Sequence, residues 1–216
     1  MGATRIIAVR HGETDWNVAT RIQGQLDIGL NARGRWQAEQ VGRALADEPV
    51  ACIYSSDLAR AHATAQAIAR HNRSAQAQAV QLDPGLRERG FGTFEGHTHA
   101  AIEAQWPDAS RRWRQRDPDF APHGGESPVQ VMERVARTVD ALAREHTGTQ
   151  IVLVAHGGVM DMLYRLATRQ SVSAARTWEL GNTAINRLLW TPDALTLVGW
   201  SDTRHLEGGA LDEFGT

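Results

Sequence analysis

Two short apolar runs in this chain end in the same way. Ile7-Ala8-Val9 is followed by Arg10-His11-Gly12, and Leu153-Val154-Ala155 by His156-Gly157. Apolar, β-branched runs of this length read as buried strands, and open α/β sheets bind ligands at the carboxyl ends of their strands. If the two strands are neighbours, His11 and His156 face one another across that crevice, with Arg10 beside them. Glycine after each histidine lets backbone amides approach a ligand closely. Arg60 falls in the first turn of the helix expected after Cys52-Ile53-Tyr54, so it projects toward the same end, where helix N-termini favour anions. Two arginines, two histidines and free amides suit a dianionic phosphoryl group, because the planar guanidinium fork matches its oxygens. A neutral imidazole, with an intrinsic pKa of about 6.5, is a usable nucleophile. One histidine at a strand end is more often structural. Two such ends together with Arg60 tip the balance to function.

The elements that must carry these residues alternate. A strand over Ile6–Val9 precedes a helix that Asn31 caps, with Trp36, Val41 and Leu45 as apolar positions. The Cys52 strand leads into Leu58, Ala61, Ala65 and Ile68 at helical spacing, and Val80–Leu82 is a weaker strand. Residues 84–126 lose periodicity and read as an insertion with one or two short helices, a lid from about 89 to 126. Ser127-Pro128-Val129-Gln130 has a capping-box pattern, opening a helix with Val131, Met132, Val135, Val139 and Leu142 on one face. A third strand, Ile151–Ala155, precedes a helix through Met162, Leu163 and Leu166. Ile185–Trp190 and Leu195–Trp200 form a hairpin around Pro192-Asp193. This alternation implies a three-layer α/β/α sandwich with a mostly parallel central sheet, in a single domain over 1–216 with a flexible tail at 207–216.

The composition excludes several classes. The 216 residues carry a net charge of −2 and are 42% hydrophobic, which supports an ordinary core and argues against a basic nucleic-acid binder. All 23 basic residues are arginine, so mechanisms that need lysine, such as a P-loop or a Schiff base, are excluded. No secretory leader is visible near Met1, and Ile151–Ala155 is far short of a membrane span. Cys52, alone in an apolar stretch, fits a reducing cytoplasm. No metal spacing such as His-Glu-x-x-His or Cys-x-x-Cys occurs, and arginines beside His11 and His156 would repel a cation. The expectation is therefore no metal and no cofactor.

Arg10-His11-Gly12-Glu13-Thr14 with Trp16-Asn17 resembles the signature of the histidine phosphatase superfamily, the phosphoglycerate-mutase-like proteins. The likeness continues through Gln23-Gly24, Ser55–Ala61, Leu86–Gly92, Glu95-Gly96, Gly124–Ser127, Val154–Gly158 and Asn182-Thr183, so it spans roughly residues 5 to 206. The resemblance implies that His11 attacks phosphorus and carries a phosphohistidine, and that Glu88 protonates the leaving alcohol and then activates water. It also implies that Arg10, Arg60 and His156 clamp the phosphoryl oxygens, with Asn17, Gln23, Gly24 and the Gly157 amide as further contacts. Spacing alone does not choose Glu88 over Glu95.

Mutases of the family carry a lysine and a Trp-Arg-Arg triplet in the lid, whereas this chain has no lysine and shows Trp113-Arg114-Gln115. Gly124–Ser127 and Ser201–Leu206 look more like the broad-specificity and α-ribazole phosphatase branch. A phosphatase for small phosphate monoesters is expected, with a cofactor-dependent, 2,3-bisphosphoglycerate-primed phosphoglycerate mutase as the alternative. The expected partner is a small phosphorylated metabolite, with no nucleic acid and no membrane. A homodimer is compatible with such a domain, although no surface stripe demands one. Arg111–Arg116 reads as a solvated lid with one arginine near a second anionic group, and Trp106 and Trp113 as lining of the lid pocket. His62, His71, His97, His99, His123 and His146 read as ordinary surface or helix residues.

Overall fold

The computed structural model describes residues 2–74 and 79–207. The strands are β1 (Thr4–Arg10), β2 (Cys52–Ser55), β3 (Gln81–Leu82), β4 (Gln150–Ala155), β5 (Ile185–Thr191) and β6 (Ala194–Asp202). They form one six-stranded sheet in the order β3-β2-β4-β1-β5-β6. The pairings from β3 to β1 are parallel, while β5 and β6 add an antiparallel hairpin on the far side of β1. Of the expected tail, residues 208–216 lie outside the described residues.

Alternation along β1 sets the layers. Ile6 and Ala8 face α6 (Pro128–Glu145) and α7 (Gly157–Thr168), joining Val131, Val135, Val139, Met160 and Leu163. Ile7 and Val9 face α2 (Ala32–Ala44) and α3 (Ala59–His71), joining Val41, Leu45, Ala61, Ala65 and Ile68. Each buried aliphatic side chain contributes about 1.5–3 kcal/mol. β4 is buried along its whole length, as a strand covered on both faces must be. β3 is a two-residue exposed edge, which explains its weak sequence signal.

Local signals account for the helix starts. The Asn31 side chain accepts from the Gly34 amide at 2.8 Å, and Ser127 and Gln130 complete a capping box around Pro128 in the first turn. The face of α2 is narrower than the apolar pattern suggests: Trp36 is only half-buried, while Gly34, Gln37 and Ala38 pack inward. A short helix, α1 (Asp15–Val18), escapes periodicity because four residues carry none. It is fixed by a second capping box, between Thr14 and Asn17.

The insertion holds α4 (His99–Gln105) and α5 (Pro107–Arg114), which Pro107 separates by forcing Trp106 out of helical geometry. Phe94, Ile102 and Phe120, with Ile22, Phe91, Trp106 and Trp113 against them, form a small core of their own. Among the described residues no helix is long and apolar enough to cross a membrane.

Candidate active site

Parallel register makes β1 and β4 end together, with Arg10 opposite Ala155. The His11 amide extends the ladder by bonding the Ala155 carbonyl at 3.0 Å. His11 and His156 therefore leave the sheet side by side, their ring centroids 5.1 Å apart. His11 Nδ1 lies 2.7 Å from the Gly12 carbonyl oxygen. Only a protonated Nδ1 can make that bond, so the lone pair sits on Nε2. Burial, then the charges of Arg10 and Arg60, hold the His11 pKa well below the usual histidine value. The imidazole is thus neutral at physiological pH.

The loop that carries His11 is pinned from several sides. Thr64 Oγ1 accepts from the Gly12 amide at 3.1 Å and donates to the Arg60 carbonyl at 2.9 Å. Asn182 donates to the His11 carbonyl at 2.8 Å. His156 is also buried and neutral, its pKa lowered by burial and then by His11, Arg60 and Arg10. Its Nε2 lies 2.8 Å from the Ser56 hydroxyl, and its Nδ1 has no partner.

Arg60 projects from the first turn of α3 and is buried. Its Nη1 and Nη2 donate to the carbonyls of Leu26 and Gly24 at 2.8 and 2.7 Å. Arg10 Nη1 donates to the Leu180 carbonyl. The Nε atoms of both arginines are buried without a partner. Burial lowers both arginine pKa values from their ordinary range, yet they remain cations. Unpaired buried donors are costly, and here two guanidinium Nε groups belong to side chains that line one cavity, where an anion would satisfy them.

Glu88 follows the 3₁₀ turn Pro84–Leu86 and reaches the start of α7. Its carboxylate accepts from the Gly158 amide at 3.0 Å and from the Arg89 amide at 2.7 Å. Glu95, indistinguishable by spacing, is used differently: its Oε1 accepts from the amides of Gln25 and Phe91, tying one loop to another. The Asn17 carboxamide oxygen accepts from Thr14, and that of Gln23 accepts from the Thr14 hydroxyl, so their donor ends remain for a ligand. Gly24 has φ +51°, and a Cβ there would lie 2.0 Å from the Glu95 carboxylate. It serves the site through the carbonyl that orients Arg60.

These residues border a cavity of about 780 Å3. Arg10, His11, Asn17, Gln23, Gly24, Arg60, Glu88 and Gly157 all line it, while His156 lies just behind. Seven arginines against four carboxylates make the lining cationic, which suits an anionic ligand. The lid supplies Phe91, His99, Trp113, Arg114, Arg116 and Phe120. Arg111 and Arg112 instead pair with Asp108 and Asp117, and Trp106 packs on Phe94 away from the cavity. Among the described residues no group of three or more His, Cys, Asp or Glu side chains could hold a metal ion.

Sequence reasoning missed several contributors. His99, expected to be ordinary, stacks on Trp113 with parallel rings 4.8 Å apart at the cavity wall. Arg176, Glu179 and Leu180 reach the cavity from the loop after α7. That loop is anchored by the buried Arg165, which bonds Asp161 and the carbonyls of Ser171 and Ala174. Ser56 lies within the Ser55–Ala61 stretch, but its bond to His156 spans 100 residues and leaves no local signal.

The family model described as the histidine phosphatase superfamily (branch 1) matches residues 6–203. Phosphoglycerate mutase-like protein 4 of Arabidopsis thaliana is 38% identical over 205 residues, 94% of this chain and 86% of the relative. A metal-independent phosphoserine phosphatase, also from Arabidopsis thaliana, is 36% identical over 206 residues, 94% of this chain and 83% of the relative. A solved mycobacterial glucosyl-3-phosphoglycerate phosphatase, complexed with VO3, superposes with a TM-score of 0.80 at 36% identity, covering 92% of this chain and 99% of that one.

Proposed function

The chain belongs to branch 1 of the histidine phosphatase superfamily, and from that premise we propose that it hydrolyses small phosphate monoesters at the His11 cavity. One observation carries the reading. The Nε atoms of Arg10 and Arg60 are buried donors without a partner, and both side chains line the cavity that holds His11 with its free Nε2 lone pair. A phosphoryl group bound there satisfies both donors while meeting the nucleophile.

In this reading His11 Nε2 attacks phosphorus in line. The N–P bond forms as the ester P–O bond breaks, and Glu88 gives its proton to the departing alkoxide. Water then attacks the phosphohistidine while Glu88 takes up its proton. The N–P bond breaks, orthophosphate leaves, and His11 returns to its neutral form. Arg10, Arg60 and His156 hold the non-bridging oxygens throughout, with Asn17, Gln23 and the Gly157 amide as further donors.

Charge that a metal supplies elsewhere is supplied here by fixed guanidinium groups, so the activity is metal-independent and needs no cofactor. Relatives named for phosphoserine and glucosyl-3-phosphoglycerate point to a small phosphorylated metabolite as substrate. The free, buried Cys52 supports a cytoplasmic setting. A homodimer is compatible with the reading, and light scattering decides it.

The test is phosphate release from p-nitrophenyl phosphate in excess chelator, comparing wild type with His11→Ala. Release by wild type alone, with matching circular dichroism, is the expected result. Near-normal release by His11→Ala overturns the mechanism. No release by either protein shifts weight to a mutase, assayed next with 3-phosphoglycerate and bisphosphoglycerate.

A further inference from the structure

Glu88 sits on a turn, outside every helix and strand, yet the proposed chemistry needs its carboxylate at a fixed place. One guanidinium supplies the restraint. Arg134, on α6, does not line the cavity. Its Nη1 donates to the carbonyls of Gly85 and Arg87 at 2.9 and 2.8 Å, and its Nη2 lies 3.4 Å from the Glu88 carbonyl. The same side chain grips Glu126 with two parallel bonds, Nε to Oε1 at 2.8 Å and Nη2 to Oε2 at 2.7 Å. Glu126 Oε2 in turn accepts from the Gly90 amide at 2.8 Å. Bonds therefore hold the main chain on both sides of Glu88, from Gly85 to Gly90.

We propose that Arg134, braced by Glu126, is a positioning residue for the acid–base step, fixing the Glu88 turn so that its carboxylate meets the leaving oxygen. This rests on the reading of Glu88 as the proton carrier. The arrangement needs arginine rather than a mere cation. A lysine ammonium is a single point and cannot reach Glu126 and three carbonyls together. Arg89 reinforces the same brace, its Nε bonding the Glu126 carbonyl and its Nη2 the Phe120 carbonyl. The lid base and the Glu88 turn are thereby one hydrogen-bonded unit.

A structural role alone would lower stability and slow all substrates equally. A positioning role slows those whose leaving group needs a proton. The experiment compares kcat/KM for p-nitrophenyl phosphate, whose phenolate leaves unaided, with that for an alkyl phosphate. Wild type, Glu88→Gln, Arg134→Lys and Glu126→Gln are measured side by side, each with a thermal melt. Because a general acid is worth about 10²–10⁴-fold, Arg134→Lys should lose at least about 10-fold on the alkyl ester and under about threefold on the aryl ester. Glu126→Gln should show the same skew, more weakly. If both Arg134→Lys and Glu126→Gln lose equally on both esters, or lose nothing while Glu88→Gln shows the skew, the proposal is overturned. If Glu88→Gln itself shows no skew, the reading of Glu88 fails first. Should Arg134→Lys not fold, Glu126→Gln alone decides, since it keeps the size of the side chain but removes the charge and turns one of the two acceptor oxygens into a donor, breaking the paired grip on Arg134.

Discussion

Gly12 and Gly34 meet backbone to backbone: a Cβ on Gly12 would lie 2.3 Å from the Gly34 carbonyl oxygen, and one on Gly34 only 2.0 Å from that of Glu13. The loop carrying His11 thus lies directly against the first turn of α2. Alanine in a helix is normally favoured over glycine by about 1 kcal/mol. Here the contact is with main chain, which cannot swing aside. Gly34→Ala should therefore cost about 1–3 kcal/mol and lower the melting temperature by roughly 3–10 °C. A melt equal to or above wild type would show that the loop is free to move.

Stability should depend on pH through the two buried histidines. Both have folded pKa values well below the ordinary 6.5, so the unfolded chain binds protons that the folded chain refuses. The stabilisation is complete above pH 6.5 and declines as pH falls toward the depressed folded values. Each histidine adds a slope approaching 1.4 kcal/mol per pH unit, roughly, in that window. Chemical denaturation at pH 7.5, 6 and 5 checks this. His11→Ala and His156→Ala should each flatten the slope by about one proton, and an unchanged slope in both would contradict the assignment.

Arg60→Lys should weaken anion binding without removing positive charge. The native guanidinium uses Nη1 and Nη2 on two carbonyls and keeps Nε unpaired. Lysine would leave at least one carbonyl unsatisfied and could not keep the same donor free. Losing one charged hydrogen bond costs about 1.5–3 kcal/mol, so inhibition by inorganic phosphate should weaken on the order of 10–100-fold. Unchanged inhibition would place the anion elsewhere.

Gly158→Ala separates folding from chemistry. A Cβ at Gly158 would stand 2.3 Å from Glu88 Oε1, the end of a flexible side chain that can move. The melt should change little, whereas turnover of alkyl esters should drop by on the order of 10²-fold, the usual result of misplacing a reacting group by about 1 Å. Full activity would mean that the Glu88 carboxylate need not occupy this position.

The parts of this architecture that announce themselves locally were legible. Ile7–Val9 and Leu153–Ala155 are apolar at every position because both lie in the middle of a sheet covered on two faces. Asn31 and Ser127 make their caps with residues three positions away, a distance any sequence window sees. The lid was visible only as missing periodicity. Its core joins Phe94, Ile102 and Phe120 across gaps of 8 and 18 residues, too wide for any helical or strand repeat. Glu88 and Glu95 look alike in sequence because their difference lies in the partners Gly158 and Gln25, each about 70 residues away. Arg134 gave no signal for the same reason.

The place of β1 has a further consequence, for synthesis. β1 is translated well before its neighbours, since its parallel partner β4 begins at Gln150 and β5, on its other side, at Ile185. Ile6–Val9 must wait for its native partners while about 140 further residues emerge, taking roughly 7–30 s at 5–20 residues per second. Pairings so distant in the chain form slowly. Nascent chains that stop short of residue 150 should accordingly recruit hydrophobic-segment chaperones through the β1 segment, and lose that affinity once β5 has been translated. Replacing Ile7 and Val9 with threonine should weaken this recruitment, and a stalled chain that binds no chaperone would show that β1 is shielded by other means.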